Sequence, residues 1–261
     1  MLLRTGDFDT YAANGGRAFD PSLPLAVFLH GAGLDHSVWA LHSRWFAHNG
    51  WSVLAPDLPG HGRSGGQPLA SIEEMADWLA RLIEAAGAGP AKLIGHSLGS
   101  LIALETAARH PDKIASLGLI GAAAAMPVSP VLLSAAQAGD HAAIDMVSIW
   151  GHGFSAGLGG SLAPGLWMLG TCERLIERAR PGVLFADLAA CNAYKGGLEA
   201  AAHISVPVTL VLGERDLMTP LKAGQALGAA LANARVTVLA GAGHMLMAER
   251  PDEVLNALTA A

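Results

Sequence analysis

The sequence predicts an α/β fold, built on one mostly parallel sheet with helices on both faces. Two observations predict it. Short apolar runs rich in branched residues recur along the 261-residue chain, and helix-length segments with helical spacing lie between most of them. Runs that are apolar on both faces are typical of buried parallel strands. Strands that alternate with helices indicate a sheet covered on both sides.

Each predicted element can be placed along the chain. The strand-like runs are residues 25–29, 51–54, 91–94, 115–120, 206–212 and 236–239. The helix-like segments between and after them include residues 71–86, 98–110, 221–231 and 252–258. Ser71 followed by Glu74 is a capping-box pattern, which predicts that a helix begins there.

The alternation fails between residues 122 and 204, where Gly, Ala, Met and Trp are frequent. Asp140 and Asp145 are the only Asp, Glu, Lys or Arg residues from position 122 to position 172. This stretch therefore has few charged side chains that could hydrate an inner surface. We therefore expect residues 1–121 and 205–261 to form the core and residues 122–204 a helical cap, an apolar ceiling over a pocket. A buried structural helix hairpin is the alternative.

Composition narrows the class of protein. The 16 Lys and Arg residues against 22 Asp and Glu give a net charge of −6, which repels phosphate backbones and argues against a nucleic-acid partner. Two cysteines, Cys172 and Cys191, are too few for a disulfide scaffold, so we expect reduced thiols. Neither a signal sequence nor an apolar stretch long enough to span a membrane is evident. A cytoplasmic protein is expected.

The strongest chemical signal is the motif Gly95-His96-Ser97-Leu98-Gly99, between a predicted strand and a predicted helix. A serine on a sharp strand-to-helix turn needs small residues two positions either side, because the chain approaches other backbone there. The turn exposes the hydroxyl at a helix N-terminus, where free amides favour developing negative charge. Ser97 is the expected nucleophile. His96 is expected to face away from the site.

A serine nucleophile needs a base and a group that orients the base. His244 is the predicted base, because it follows the last predicted strand on a glycine-containing loop. Asp216 is the predicted orienting group, since it follows the preceding strand. Glu214 is a competitor, and both His244 and Asp216 could instead be solvated loop residues.

A glycine-containing loop after the first long strand is the expected oxyanion hole. The amide of Ala32, or else that of Gly33 or Leu34, would pair with the amide of Leu98. A tight turn without a chemical role is the alternative. His30 is expected to support this loop through a hydrogen bond.

Together these motifs resemble the α/β-hydrolase superfamily. The resemblance rests on His30-Gly31, residues 57–64 (DLPGHGRS), residues 95–99, Asp216 and Gly243-His244. It covers about residues 25–249 apart from the cap. It implies an eight-stranded sheet, a cap inserted after the sixth strand, and a supporting role for residues 57–64 as the loop after the fourth strand.

A serine at position 97 excludes the relatives that need a carboxylate nucleophile and leaves acyl transfer to water, with no metal or organic cofactor. Relatives that cleave carbon–carbon bonds often carry a tryptophan after the base, and Met245 stands there instead. Relatives of the menaquinone-pathway synthase often have an arginine soon after the nucleophile, where this chain has Ser100-Leu101-Ile102. Both classes are therefore disfavoured. We expect a carboxylesterase for small to medium hydrophobic esters. The predicted substrate contacts are apolar side chains: Met126, Met146, Trp150, Phe154, Trp167, Met168 and Met245.

Several alternatives stay open. A lactonase, a thioesterase or a carbon–carbon bond hydrolase would use the same fold. A ligand receptor that keeps the triad belongs to a different class. The charged residues of positions 173–180 indicate a solvated helix face, although they could guide a negatively charged carrier or lactone. The sequence does not predict the oligomeric state.

Overall fold

The computed structural model describes residues 1–160 and 167–260, which contain one sheet of eight strands. The strands are β1 (Leu2–Thr5), β2 (Phe8–Ala13), β3 (Leu25–Leu29), β4 (Ser52–Pro56), β5 (Ala91–His96), β6 (Ile114–Ile120), β7 (Val208–Gly213) and β8 (Ala234–Leu239). Their spatial order is β1-β2-β4-β3-β5-β6-β7-β8. β1 and β2 pair antiparallel, as do β2 and β4, and all other pairs are parallel. The predicted eight-stranded, mostly parallel sheet is confirmed.

Twelve α-helices lie in the described part of the chain. They are α1 (Ala40–His48), α2 (Ile72–Ala86), α3 (Leu98–Arg109), α4 (Pro130–Ala138), α5 (Ala142–Gly151), α6 (Phe154–Gly157), α7 (Met168–Glu177), α8 (Val183–Ala193), α9 (Gly197–Ala202), α10 (Leu221–Ala230), α11 (Leu246–Glu249) and α12 (Pro251–Thr259). The predicted start of α2 is confirmed, since Ser71 Oγ accepts a hydrogen bond from Glu74 N at 3.2 Å.

Alternate residues of the central strands enter two separate cores. In β3, Val27 and Leu29 pack into the core that contains α2 and α3, whereas Phe28 packs with Trp39 and with Phe46 of α1 on the other face. Successive side chains of a strand point to opposite faces, so a strand buried on both sides must be apolar throughout. Helices therefore cover both faces of the sheet, as predicted.

The two N-terminal strands, β1 and β2, have a weaker pattern of apolar residues in the sequence than the other strands. β1 and β2 lie at the edge of the sheet with mixed exposure, and Gly6, at φ 78°, makes the turn between them. Thr5 Oγ1 and Thr10 Oγ1 share a buried 2.6 Å hydrogen bond. A strand with one wet face has no continuous apolar run, which is why this hairpin does not stand out in the sequence.

The described residues between β6 and β7 form helices and loops and contain no strand. We call residues 122–204 the inserted segment. Helices α4, α5 and α8 share a small apolar cluster, formed by Leu132, Ala136, Ala143 and Leu188. The insertion of helices after the sixth strand is confirmed, while its division from the core as a separate domain stays a prediction.

Two further expectations concern the membrane and the thiols. No helix within residues 1–160 and 167–260 combines the length and the apolar character needed to cross a bilayer. Cys172 and Cys191 are both buried and both free.

Candidate active site

Ser97 occupies a strained turn between β5 and α3. Its φ of 53° is the only positive value for a non-glycine residue in the described part of the chain. The left-handed region is costly for a serine and persists only where the surroundings enforce it. A Cβ at Gly95 would collide with the carbonyl of Gly99, and a Cβ at Gly99 with that of Leu29. The two glycines of the motif thus allow the turn to form.

His244 lies on the loop after β8 and is buried. Its Nδ1 donates a 2.8 Å hydrogen bond to Asp216 Oδ2. This bond holds the proton on Nδ1 and leaves Nε2 as the basic atom. The backbone amides of His244 and Met245 both donate to the carbonyl of Gly151, at 2.9 and 2.8 Å. The inserted segment therefore fixes the loop that carries His244.

Asp216 lies on the loop after β7, where it accepts several hydrogen bonds. Besides His244, the amides of Met218 and Thr219 donate to Oδ1 at 2.8 Å each. Burial alone would raise the pKa of Asp216, but the His244 charge and the hydrogen bonds from His244 and Thr219 outweigh burial and lower it. Glu214 is half-exposed and instead accepts from Gly241 N at 2.9 Å. Of the two carboxylates, Asp216 is the one that contacts His244.

Thr219 is a part of this network that the sequence analysis missed. Its hydroxyl donates to Asp216 Oδ2 at 2.6 Å and lies 3.2 Å from His244 Nδ1. A hydroxyl three residues after Asp216, in the pattern Asp-x-x-Thr, is the signal that could have identified it. The bond adds a donor to the ionised carboxylate and so favours its charge.

The loop after β3 leaves one amide of the expected oxyanion hole unpaired. Gly33 N donates to Asp187 Oδ2 at 2.8 Å, and Leu34 N donates to the carbonyl of Gly31 at 3.2 Å. In the described part of the chain, the amides of Ala32 and Leu98 donate to no protein acceptor. Of the three alternatives in this loop, Ala32 has the free amide.

His30 and His96 are buried neighbours of the site. His30 Nε2 accepts from Leu58 N at 3.1 Å, which agrees with the expected support of the loop. His96 does not face away: its ring centroid lies 4.7 Å from that of His244, and its Nε2 donates to the carbonyl of His244 at 3.0 Å. Complete burial, with the nearby His244 charge, lowers the pKa of His96 to about 3. His96 is therefore a neutral support of the His244 loop.

Ser97 and His244 line the same cavity, which has a volume of about 230 Å³. The inserted segment forms much of the remaining wall. Three predicted substrate contacts lie on this cavity, namely Met126, Trp150 and Met245.

The other four predicted contacts do not line it. Phe154 and Trp167 are on the outer surface, 84% and 66% exposed. Met146 packs against the apolar cluster of α4, α5 and α8, and Met168 is buried in α7. Apolar composition identified the inserted segment, but it did not predict which side of each helix faces the cavity.

Cavity-lining residues that the sequence analysis missed are mostly small or aliphatic, among them Leu132, Val147, Leu188, Leu217, Cys172 and Cys191. Burial raises the pKa of the Cys172 thiol to about 11, and the pKa of the Cys191 thiol is raised as well. Protonated thiols act here as small apolar groups. No Lys, Arg, Asp or Glu is among the described residues that line the cavity.

One group of side chains in the described residues has the spacing of metal ligands: Asp35, His36 and Asp57. These atoms already bond to protein groups. His36 Nδ1 donates to Asp57 Oδ1 at 2.7 Å, and Arg178 of the inserted segment binds Asp35 Oδ2 at 2.5 Å. Hydrogen bonds within the protein account for this group without an ion.

Two curated relatives resemble most of the chain. The pimeloyl-[acyl-carrier protein] methyl ester esterase of Neisseria meningitidis serogroup C / serotype 2a is 34% identical over 209 residues, 74% of this chain and 76% of the relative. The protein of the same name from Chromobacterium violaceum is 33% identical over 251 residues, 90% and 92% of the two chains.

Solved structures share the whole fold. The enol-lactonase from Burkholderia xenovorans LB400 has a TM-score of 0.88 at 24% identity, and covers 98% of this chain and 97% of its own. Est816, described as an N-acyl homoserine lactone degrading enzyme, has a TM-score of 0.83 at 21% identity. At such identities the likeness concerns the fold alone. The model of the Alpha/beta hydrolase family matches residues 26–257, nearly the whole chain. The chain therefore belongs to the alpha/beta hydrolase family.

Proposed function

We propose that this chain is a carboxylic ester hydrolase that cleaves small to medium, uncharged hydrophobic esters through an acyl-enzyme on Ser97. One observation carries the proposal. The strained serine and the histidine that is bonded to Asp216 line the same cavity. A nucleophile, a base and a group that orients the base are the three parts that such chemistry requires.

The proposed reaction has two halves. His244 Nε2 takes the proton of Ser97 while Oγ attacks the ester carbonyl, and the amides of Ala32 and Leu98 stabilise the oxyanion. The imidazolium of His244 then protonates the leaving alcohol. In the second half, His244 activates a water molecule, which attacks the acyl-enzyme and releases the acid. Asp216 holds the imidazole in the required tautomer throughout.

The cavity supports the proposed class of substrate. Its wall is mostly apolar and carries no charged Lys, Arg, Asp or Glu among the described residues, and its volume of about 230 Å³ lies below the range of drug-sized pockets. A charged acyl end would find no compensating Lys or Arg among the described lining residues. We propose that the inserted segment is the cap that sets this limit. The names of the relatives at 33–34% identity support ester rather than carbon–carbon cleavage.

The test is hydrolysis of p-nitrophenyl esters of increasing acyl length by the wild type and by Ser97→Ala. We expect turnover of short and medium esters, and a loss of roughly 10³-fold or more in kcat for Ser97→Ala. Equal activity of the two proteins would refute the assignment of the nucleophile.

The same assay should include a lactone, an acyl thioester and a pimeloyl methyl ester, to decide between the alternatives within the fold. A ligand receptor would instead combine negligible turnover of every ester with a stable complex formed with a partner when ligand is added.

A further inference from the structure

Helix α8 of the inserted segment reaches the loop that carries the proposed oxyanion donor. Asp187, in the middle of α8, is completely buried. Its Oδ2 accepts the amide of Gly33 at 2.8 Å, a bond between residues 154 positions apart. Leu184, one helical turn earlier, packs on the same glycine: a Cβ added at Gly33 would lie 2.9 Å from Leu184 Cδ1.

The same carboxylate oxygen binds a second group, His61, from the loop after β4. His61 Nε2 donates to Asp187 Oδ2 at 2.8 Å, while its Nδ1 donates to the carbonyl of Pro59 at 3.0 Å. Both ring nitrogens face oxygens, and the charge and hydrogen bond of Asp187, with the Pro59 carbonyl, raise the pKa of His61 despite its burial. A buried carboxylate needs such a partner. His61 therefore holds Asp187 Oδ2 in place beside Gly33.

Helix α8 and the loops after β3 and β4 thus meet at Asp187 Oδ2, and this arrangement affects which amide of the loop after β3 is free. The amide of Gly33 is bound to Asp187 and that of Leu34 closes a turn with Gly31, so the amide of Ala32, just before them, is the one in this loop that has no protein acceptor among the described residues. Gly33 has a φ of 69°, a value that suits glycine and sets the direction of the chain after Ala32. The buried hydrogen bond from Gly33 N to Asp187 fixes the peptide next to the proposed donor.

We propose that Asp187 is a positioning residue for the oxyanion hole: held by His61, it binds the amide of Gly33 and so aims the amide of Ala32 into the cavity. The inference rests on the proposed function of Ser97. It assigns to the inserted segment a part in transition-state stabilisation as well as in shaping the pocket. Asp187 is not among the described residues that line the cavity, so it would act through the loop after β3.

The experiment compares Asp187→Ala and Asp187→Asn with the wild type in three measurements. These are kcat and KM on a p-nitrophenyl ester, the affinity for a trifluoromethyl ketone that adds to the serine as a tetrahedral oxyanion, and the affinity for the product alcohol or acid. Of the two ligands, only the trifluoromethyl ketone forms the charge that an oxyanion hole stabilises.

For Asp187→Ala we expect kcat and the affinity for the trifluoromethyl ketone to fall together by about 30- to 100-fold, since a donor misplaced by about 1 Å costs this much. KM and the affinity for product should change less than about 3-fold. Asp187→Asn keeps an oxygen that can accept from Gly33, so we expect only about a 3- to 10-fold loss in the same two quantities. If Asp187→Ala does not fold, the isosteric Asp187→Asn variant alone tests the inference.

Tyr194→Phe is the matched control. Tyr194 follows α8 directly, and its hydroxyl donates to Glu105 of α3 at 2.6 Å, so the variant also removes a bond from the inserted segment to the core. We expect it to lower the melting temperature and to leave the ratio of the two affinities unchanged. The inference is wrong if the Asp187 variants bind the trifluoromethyl ketone as the wild type does, or lose both affinities equally.

Ser97→Ala separates this inference from the proposed function. If Ser97→Ala still hydrolyses the ester, the proposed function fails. If it is inactive and forms no adduct while the Asp187 variants behave as the wild type, only the role of Asp187 fails.

Discussion

At the scale of single residues, the proposed site depends on how Asp216 is held. Its two oxygens receive four hydrogen bonds, from two backbone amides, one hydroxyl and the imidazole of His244. The backbone bonds fix the direction of the carboxylate, and the Thr219 hydroxyl favours its charged form. The tautomer of His244 follows from this arrangement, because the Nδ1 proton has a fixed acceptor.

Substitutions at these positions should affect kcat in a graded way. We expect Asp216→Asn to keep the fold and to lower kcat by about 10⁴-fold, because the wrong tautomer of His244 would be favoured. Thr219→Val should lower kcat by about 3- to 10-fold, since it removes one bond to a charged group and leaves the carboxylate in place. Steady-state kinetics together with circular dichroism measure both effects.

Glu214→Gln is the control for this series, because Glu214 lies two residues from Asp216 and is bonded to Gly241 N instead. It should retain the wild-type kcat. A loss as large as that of Asp216→Asn would move the orienting role to Glu214.

At the scale of elements, the inserted segment contacts the loop of the proposed base, His244, as well as the loop of the proposed oxyanion hole. The last residue of α5, Gly151, supplies its carbonyl to the His244 loop. Glu249, buried in α11, joins the same two parts: Oε2 accepts from Gly153 N at 3.0 Å and both oxygens lie 3.1 Å from Gly243 N. A buried carboxylate with such donors is a strong link between chain segments.

Replacing this carboxylate should therefore reduce stability. We expect Glu249→Gln to lower the free energy of unfolding by about 2 kcal/mol, because an amide group would face backbone donors that now bind a charge. For a chain of this size this corresponds to a fall in Tm of roughly 4–8 °C, measured by calorimetry. Glu253→Gln, in the half-exposed pair with Arg250, should change Tm by less than about 2 °C. Equal effects of the two variants would contradict a linking role for Glu249.

At the scale of the whole molecule, the buried pair of His61 and Asp187 makes stability depend on pH. Burial alone would lower the pKa of His61, but the charge and hydrogen bond of Asp187, with the Pro59 carbonyl, outweigh burial and raise it. An imidazolium that is favoured in the folded state stabilises the protein fully below the unfolded pKa of 6.5. This contribution is lost as the pH rises through the raised pKa of the folded state.

The difference in unfolding free energy between the wild type and His61→Gln should follow this dependence. We expect a constant difference below about pH 6 and a decrease above it, measured by urea unfolding from pH 5.5 to 9. His48→Gln changes an exposed histidine at the end of α1 and should show no such slope. A difference for His61→Gln that grows with pH would mean that the imidazole is neutral in the folded protein.

The sequence was sufficient for the elements and motifs whose signals are local. The six apolar strands, the start of α2 and the placement of Ser97, His244 and Asp216 at the carboxyl ends of strands all follow from patterns within a few residues of each position. Five of the six are mostly buried on both faces, as such runs indicate, whereas Val236 and Val238 of the edge strand β8 are 40% and 41% exposed. Family membership was predicted from the same motifs and is confirmed.

Only the tertiary structure decided which side chains of the inserted segment face inward. Met126 and Trp150 line the cavity while Phe154 and Trp167 face outward, although all four are apolar residues of one segment. The link from Asp187 to Gly33 likewise joins positions 154 residues apart. The physical reason is range: hydrophobic periodicity and turn preferences act between neighbours in sequence, whereas the packing of short, apolar helices is set by the partners that they meet after folding.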